Sequence, residues 1–145
     1  MNDTVLNSAR RTLATEIEGL QALSARLDDA FTQAVTVLAN ISGRVIVSGM
    51  GKSGHIGAKI TATMASTGTP AQFVHPSEAS HGDLGMITQN DAILALSWSG
   101  ETAELSNLIN YAKRFSIPLI GLTSGADSLL GRAAAVCLCL PTSKE

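Results

Sequence analysis

The chain has 145 residues, of which 45% are hydrophobic and 15% charged, a folding composition sized for one domain. Ten Lys and Arg against twelve Asp and Glu leave a net charge of −2, and aromatics are only 3%. That argues against a general electrostatic grip on nucleic acid or anionic membrane, and against base-stacking platforms.

Val5, Ala9, Leu13, Ile17, Leu20, Leu23 and Leu27 recur every three or four residues, which predicts helix through most of the first forty. Phe31, Ala34, Val35, Leu38 and Ile41 continue the period in a second stretch, from Asp28 to Asn40. Residues 1–42 carry no catalytic cluster and are expected to form a helical arm that packs on the core or on a neighbouring subunit.

From residue 43 onward the pattern alternates. Short apolar runs predict strands over Arg44–Ser48, Gln72–Val74, Asp91–Ser97, Ile117–Leu122 and Ala135–Leu140. Between them lie helical stretches at His55–Ser66, Thr102–Phe115 and Ser128–Ala134, and a short helix or ordered turn at Ser77–Leu84. Strands that are apolar throughout and alternate with helices predict a doubly wound α/β domain, a parallel sheet covered on both faces. Ligands of such sheets bind beyond the carboxyl ends of the strands. The polar, small-residue clusters fall there: Gly49–Gly54, His75–Gly85, Ser97–Thr102 and Thr123–Gly125.

Gly49-x-Gly51-x-x-Gly54 follows a strand and precedes a helix. A dinucleotide fingerprint would need an acid at the end of the second strand, but that region reads Ala71-Gln-Phe-Val-His75. A P-loop would need a glycine where Ile46 stands. What survives is a turn whose backbone N–H groups suit an anion, with Lys52 as a mobile positive charge; its duller alternative is a tight turn beside a solvated lysine. Ser97, Ser99 and Thr102 offer short donors to a phosphate, or else form a plain helix cap with Ser99 as N-cap. His75-Pro-Ser-Glu-Ala-Ser-His81-Gly-Asp83 is not a zinc spacing and suits acid–base chemistry or sugar contacts better, unless it is only a capped polar helix. Glu104, expected one turn into the next helix, is a candidate proton-transferring base, or a carboxylate complementing the helix dipole.

No apolar run reaches the ~18 residues of a membrane span, and the N-terminus lacks a signal-peptide core. Cys137 and Cys139 are too close in sequence for ordinary disulfide geometry, so a reduced, cytoplasmic protein is expected.

Val45–His55, Ala65–Pro70, Phe73–Ile87 and Ser97-x-Ser-Gly-Glu101 resemble the sugar isomerase (SIS) domain, and within it the D-arabinose 5-phosphate isomerases of Kdo and lipopolysaccharide synthesis. The likeness is dense over 43–145 and looser before it. It implies interconversion of D-arabinose and D-ribulose 5-phosphates through an enediol, without a required cofactor. It places catalytic roles on Lys52, Glu104 and Glu145, and substrate contacts on Gly51, Ser53, Gly68, Thr69, His75, His81, Ser97, Ser99 and Thr102. His75 also matches a position associated with a divalent metal such as zinc. The family is typically a homotetramer acting on a phosphorylated pentose. It continues past the position of Glu145 through a Ser/Thr-rich loop, a helix and two CBS domains, so 43–145 is expected to be a truncated SIS domain. Trp98 stands where Asn is common. The alternatives are a non-catalytic sugar-phosphate sensor and an isomerase of another sugar phosphate.

Overall fold

The computed structural model describes residues 2–142. Two helices come first, α1 (Asn2–Ser24) and α2 (Asp29–Asn40), followed by β1 (Val45–Gly49), α3 (Gly51–Ser66) and β2 (Ala71–Phe73). Next are α4 (Pro76–Ser80), a 3-10 turn (Asp83–Met86) and β3 (Ala92–Leu96). A second 3-10 turn (Ala103–Leu105) leads into α5 (Ser106–Phe115), β4 (Leu119–Thr123), α6 (Leu129–Ala133) and β5 (Val136–Cys139). The five strands form one all-parallel sheet in the order β2-β1-β3-β4-β5. The doubly wound α/β expectation is met.

The interior strands are buried on both faces, because their side chains alternate between two cores, while the edge strands β2 and β5 are mostly half-buried. Ile46, Ile93, Ala95 and Leu119 face α4, α5 and α6 through Ala79, Leu105, Leu108, Ile109 and Leu130. Val45, Val47, Leu94, Leu96 and Ile120 face α2 and α3 through Ala34, Leu38, Ile60 and Met64. Each fully buried Ile or Leu contributes about 1.5–3 kcal/mol by leaving water. Asp28 caps α2, its carboxylate accepting from Ala30 N at 2.9 Å.

α1 behaves differently. Val5, Leu13, Ile17 and Leu20 are 66%, 58%, 54% and 66% exposed, so the periodic stripe that predicted this helix is not covered by the core of its own chain. Among the described residues no helix is long and apolar enough to cross a membrane.

Three local expectations are corrected. α3 begins at Gly51, four residues before the expected start, so Lys52 and Ser53 sit in its first turn. The stretch expected as one helix over 102–115 is a 3-10 turn followed by α5. The ordered turn expected at 77–84 is α4 plus a separate 3-10 turn, divided at Gly82, whose φ of 135° is a glycine conformation.

Candidate functional site

The sheet reverses its direction of winding between β1 and β3, which are neighbours in space although β2 separates them in sequence. This is the switch point at which doubly wound sheets bind ligands. Gly49 is paired with Leu96, so the chain leaves β1 and β3 at adjacent positions about 5 Å apart. The glycine turn and the serine loop therefore open on one crevice.

On the β1 side the backbone approach is close. A Cβ on Gly54 would lie 2.6 Å from the Gly49 carbonyl oxygen, which forces glycine where α3 meets the strand end. Gly51 adopts φ 56°, and this conformation turns the chain straight into α3. The N-cap of α3, Met50, supplies no side-chain hydrogen bond. The N–H groups of Gly51, Lys52 and Ser53 belong to the first turn, which has no intrahelical acceptors. They face the crevice together with the positive end of a 16-residue helix. Lys52 is exposed and Ser53 half-buried.

On the β3 side the loop is fastened to itself. The Ser97 and Thr102 hydroxyls lie 2.7 Å apart, and Ser97 Oγ accepts from Gly100 N at 3.1 Å. The Trp98 carbonyl accepts from Ser124 N at 2.9 Å, Ser124 Oγ at 2.7 Å and Thr123 Oγ1 at 3.1 Å. Gly100 has φ 70°, and an added Cβ would collide with Ser128 Oγ. Ser99 is exposed but caps no helix: its Oγ accepts from Glu101 N at 3.2 Å within the loop, because the next helix begins only at Ser106. Glu101 is structural, its Oε1 accepting from Leu129 N at 2.9 Å where α6 starts. Glu104 is exposed on the 3-10 turn beyond the loop, not one turn into a helix.

The third contributor follows β2. His75 is the N-cap of α4, and its Nδ1 accepts from Ser77 N at 3.3 Å. That bond puts the ring proton of the neutral imidazole on Nε2. A metal at Nε2 would require the opposite tautomer, and no group of three potential ligands exists among the described residues. His75 therefore does not fit a zinc site in this arrangement. The side chain is half-buried, edge-on to Phe73 with ring centroids 6.5 Å apart. His81, at the other end of α4, is exposed.

Gly68 and Thr69 are not brought to this rim. The 16 residues of α3 carry the chain about 24 Å, from the carboxyl ends of the strands back to their amino ends. There the Pro70 carbonyl accepts from Val45 N at the start of β1. Glu145 lies outside the described residues.

Two cavities flank the sheet. One of about 580 Å³ opens at the carboxyl ends of β4 and β5 and reaches the loop after β3, lined among others by Arg26, Ser99, Ser124 and Asp127. The other, about 540 Å³ and mostly apolar, lies between the α1–α2 turn and β5, against Leu23, Phe31 and Leu138. It holds none of the candidate catalytic groups. Cys137 also lines it, but burial pushes that thiol up, as does the neighbouring Cys139, which disfavours a thiolate nucleophile.

Sequence reasoning passed over Asp91. Its carboxylate, 2% exposed, accepts from Arg44 N and Thr88 N, both at 2.7 Å, and from Thr88 Oγ1 at 3.0 Å. Burial pushes its pKa up, but these bonds and the Arg44 charge outweigh burial and hold it below the usual carboxylate value. An acid directly before an apolar strand was the available signal. The role is structural, because Asp91 lies at the amino end of the sheet.

Comparison with known proteins shows the family and the fold. The SIS domain family matches residues 38–145. The chain is 51% identical over 140 residues to "Arabinose 5-phosphate isomerase KdsD" of Pseudomonas aeruginosa, covering 97% of this chain and 43% of that protein. It is 48% identical over 145 residues to "Arabinose 5-phosphate isomerase GutQ" of Salmonella typhi, covering 100% of this chain and 45% of that protein. The chain thus spans less than half the length of these curated relatives. A solved protein of E. coli CFT073, in complex with arabinose 5-phosphate, is 34% identical with a TM-score of 0.94, over 100% of this chain and 77% of that one.

Proposed function

The chain belongs to the SIS domain family, and from that premise we propose that it is the sugar-phosphate domain of an aldose–ketose isomerase, interconverting D-arabinose 5-phosphate and D-ribulose 5-phosphate. The activity named for its relatives supports the substrate, and one observation of the structure carries the reading. The first turn of α3, without a side-chain cap, lies across the switch point from a rigid serine loop, in a chain whose whole length is shared with these isomerases.

The chemistry follows from the groups present. The phosphate dianion takes the free N–H groups of Gly51 to Ser53, the Ser99 hydroxyl and the Lys52 charge. Ser97 and Thr102 bond to each other and so hold the loop in shape. Glu104 removes the proton from the carbon beside the carbonyl. The C–H electron pair becomes the C=C bond of the enediol, and the carbonyl oxygen is protonated. Collapse of the enediol, with the proton returned to the neighbouring carbon, completes the isomerisation. No electrons leave the sugar, so this step needs no redox cofactor. Nε2–H of His75, with His81, is the donor nearest in kind to the oxygen that gains and loses charge. Glu145 is a second carboxylate for the same step.

The uncovered stripe of α1 supports a homo-oligomer, a tetramer by the resemblance, in which a second copy covers Leu13, Ile17 and Leu20. The free thiols of Cys137 and Cys139 suit the cytoplasm, where the product would feed Kdo and lipopolysaccharide synthesis.

The test is proton NMR of D-arabinose 5-phosphate with the protein in D2O with chelator. Ribulose 5-phosphate carrying deuterium at C1 is expected. Line broadening of the sugar without exchange would replace the isomerase by a sensor, and absence of both effects would overturn the reading.

A further inference from the structure

We propose that Asn107 and Tyr111 of α5 are positioning residues that hold His81 against the carboxylate-bearing turn, an inference that rests on the isomerase reading. His81 is exposed and has no hydrogen-bonding side-chain partner of its own among the described residues. It is followed by Gly82 at φ 135°, a conformation that glycine adopts and other residues rarely do. Such a residue is poorly placed for proton transfer unless something outside its own turn fixes it.

Two side chains of one helix do so. Asn107 Nδ2 donates to Ser80 Oγ at 2.9 Å, one residue before His81. Tyr111 OH donates to the Ile87 carbonyl at 3.1 Å, at the end of the 3-10 turn that follows Gly82. Asn107 and Tyr111 are four apart and share one face of α5. Ser80 is saturated, since its hydroxyl also donates to the Pro76 carbonyl at 3.3 Å. The Tyr111 ring is itself steadied by Phe115, with centroids 4.5 Å apart. The segment 81–86 is therefore fastened on both sides of Gly82 to the same helix.

That helix also governs the candidate base. Glu104 stands three residues before Asn107, on the turn that runs directly into α5. The helix thus continues from the turn that carries Glu104 and bonds to Ser80 and Ile87, the residues on either side of the His81 segment. α4 also meets the turn and α5 through Ala79, Leu105 and Leu108 of the core, and the two hydrogen bonds add direction to that packing. The exposed bond of Asn107 adds little to overall stability, but misplacement of a reacting group by about 1 Å can slow chemistry by up to about 100-fold.

The experiment compares Asn107→Ala, Tyr111→Phe, Ser80→Ala, Ser80→Thr and the double variant Ser80→Ala/Asn107→Ala in the D2O exchange assay. Asn107→Ala and Tyr111→Phe are expected to lower kcat about tenfold with KM within about twofold, the pattern of a transition-state effect. Ser80→Thr, which keeps the hydroxyl, is expected to restore kcat to near the wild-type value. The double variant is expected to be no slower than either of its single parents, because both remove one bond. Unchanged kcat in Asn107→Ala, or Ser80→Thr as slow as Ser80→Ala, would overturn the proposal. If the wild type itself exchanges no hydrogen, the isomerase reading falls and the tie is read on the unliganded protein. Asn107→Ala must then speed amide exchange over residues 81–86 with Tm unchanged, and unaltered exchange overturns it.

Discussion

The two ends of this sheet are built on opposite rules. At the amino end the polar groups are matched to each other. Asp91 collects Arg44 N and both donors of Thr88, while the Arg44 guanidinium reaches the Gln72 amide oxygen and the Met86 carbonyl. At the carboxyl end the loop after β3 is just as rigid, yet the first turn of α3 keeps its donors free and Ser99 stays exposed. α2, α4 and α6 are each capped by a side chain, Asp28, His75 and Ser128. α3, which opens on the switch point, is not, and neither is α5, which a 3-10 turn runs into directly. Rigidity is common to both ends, and only the matching of donors to acceptors separates a stabilising end from a binding one.

The sharpest way to probe that division is Glu104→Gln. It should lower turnover by about 10²–10⁴-fold, the usual worth of a positioned acid–base group, with Tm and sugar-phosphate affinity retained in a calorimetric titration. Turnover near wild type would remove Glu104 from its role. Gly100→Ala tests the rigidity of the carboxyl end. The side chain would strain φ 70° and overlap Ser128, costing about 2–5 kcal/mol by chemical denaturation and abolishing ligand binding with it. Asp91→Asn is its counterpart at the amino end. It should cost about 2 kcal/mol without changing ligand affinity.

Asp91 also fixes the sign of one pH effect. Its pKa is lower in the fold than in the unfolded chain, so its contribution is fully present above about pH 4 and is lost as pH falls through the folded value. The acid limb of a stability–pH curve should flatten in Asp91→Asn. Lys52→Ala should weaken sugar-phosphate binding about tenfold at low salt, less at high salt, and leave Tm in place. The smallest effect is a gain. Ser116, at φ 54° where α5 ends, should give about 0.5–1 kcal/mol on change to glycine.

The sheet was legible because the strands are mostly apolar runs, β2 with Gln72 being the weakest, and their alternation with helices left little choice of architecture. The rim was legible for the same reason: each polar cluster directly follows a strand. The start of α3 was hidden because Gly51 and Gly54 read as loop residues. Their true cause, the approach of Gly54 to the Gly49 carbonyl, is a tertiary fact. The cap offered as the duller alternative for the serine loop is absent, because the chain passes through a 3-10 turn before α5 and Ser99 bonds to Glu101 N within the loop. Gly68 and Thr69 were drawn to the site by resemblance, whereas the length of α3 puts them at the amino end. The ties of Asn107 and Tyr111 had no signature, since two polar residues on an amphipathic helix look like its solvated face.

The strand order carries a consequence for synthesis. β1 lies in the interior of the sheet, and its partner Ala92–Leu96 follows it by a long stretch of chain. At about 5–20 residues per second, the apolar run Val45–Val47 waits several seconds on the ribosome before β3 emerges to cover its second edge. During that wait α2, α3 and the three-residue β2 can shield it, but the edge that β3 will pair stays open. A half-made chain therefore carries an interior strand with one edge unpaired, and this interval is when aggregation or chaperone capture competes with folding.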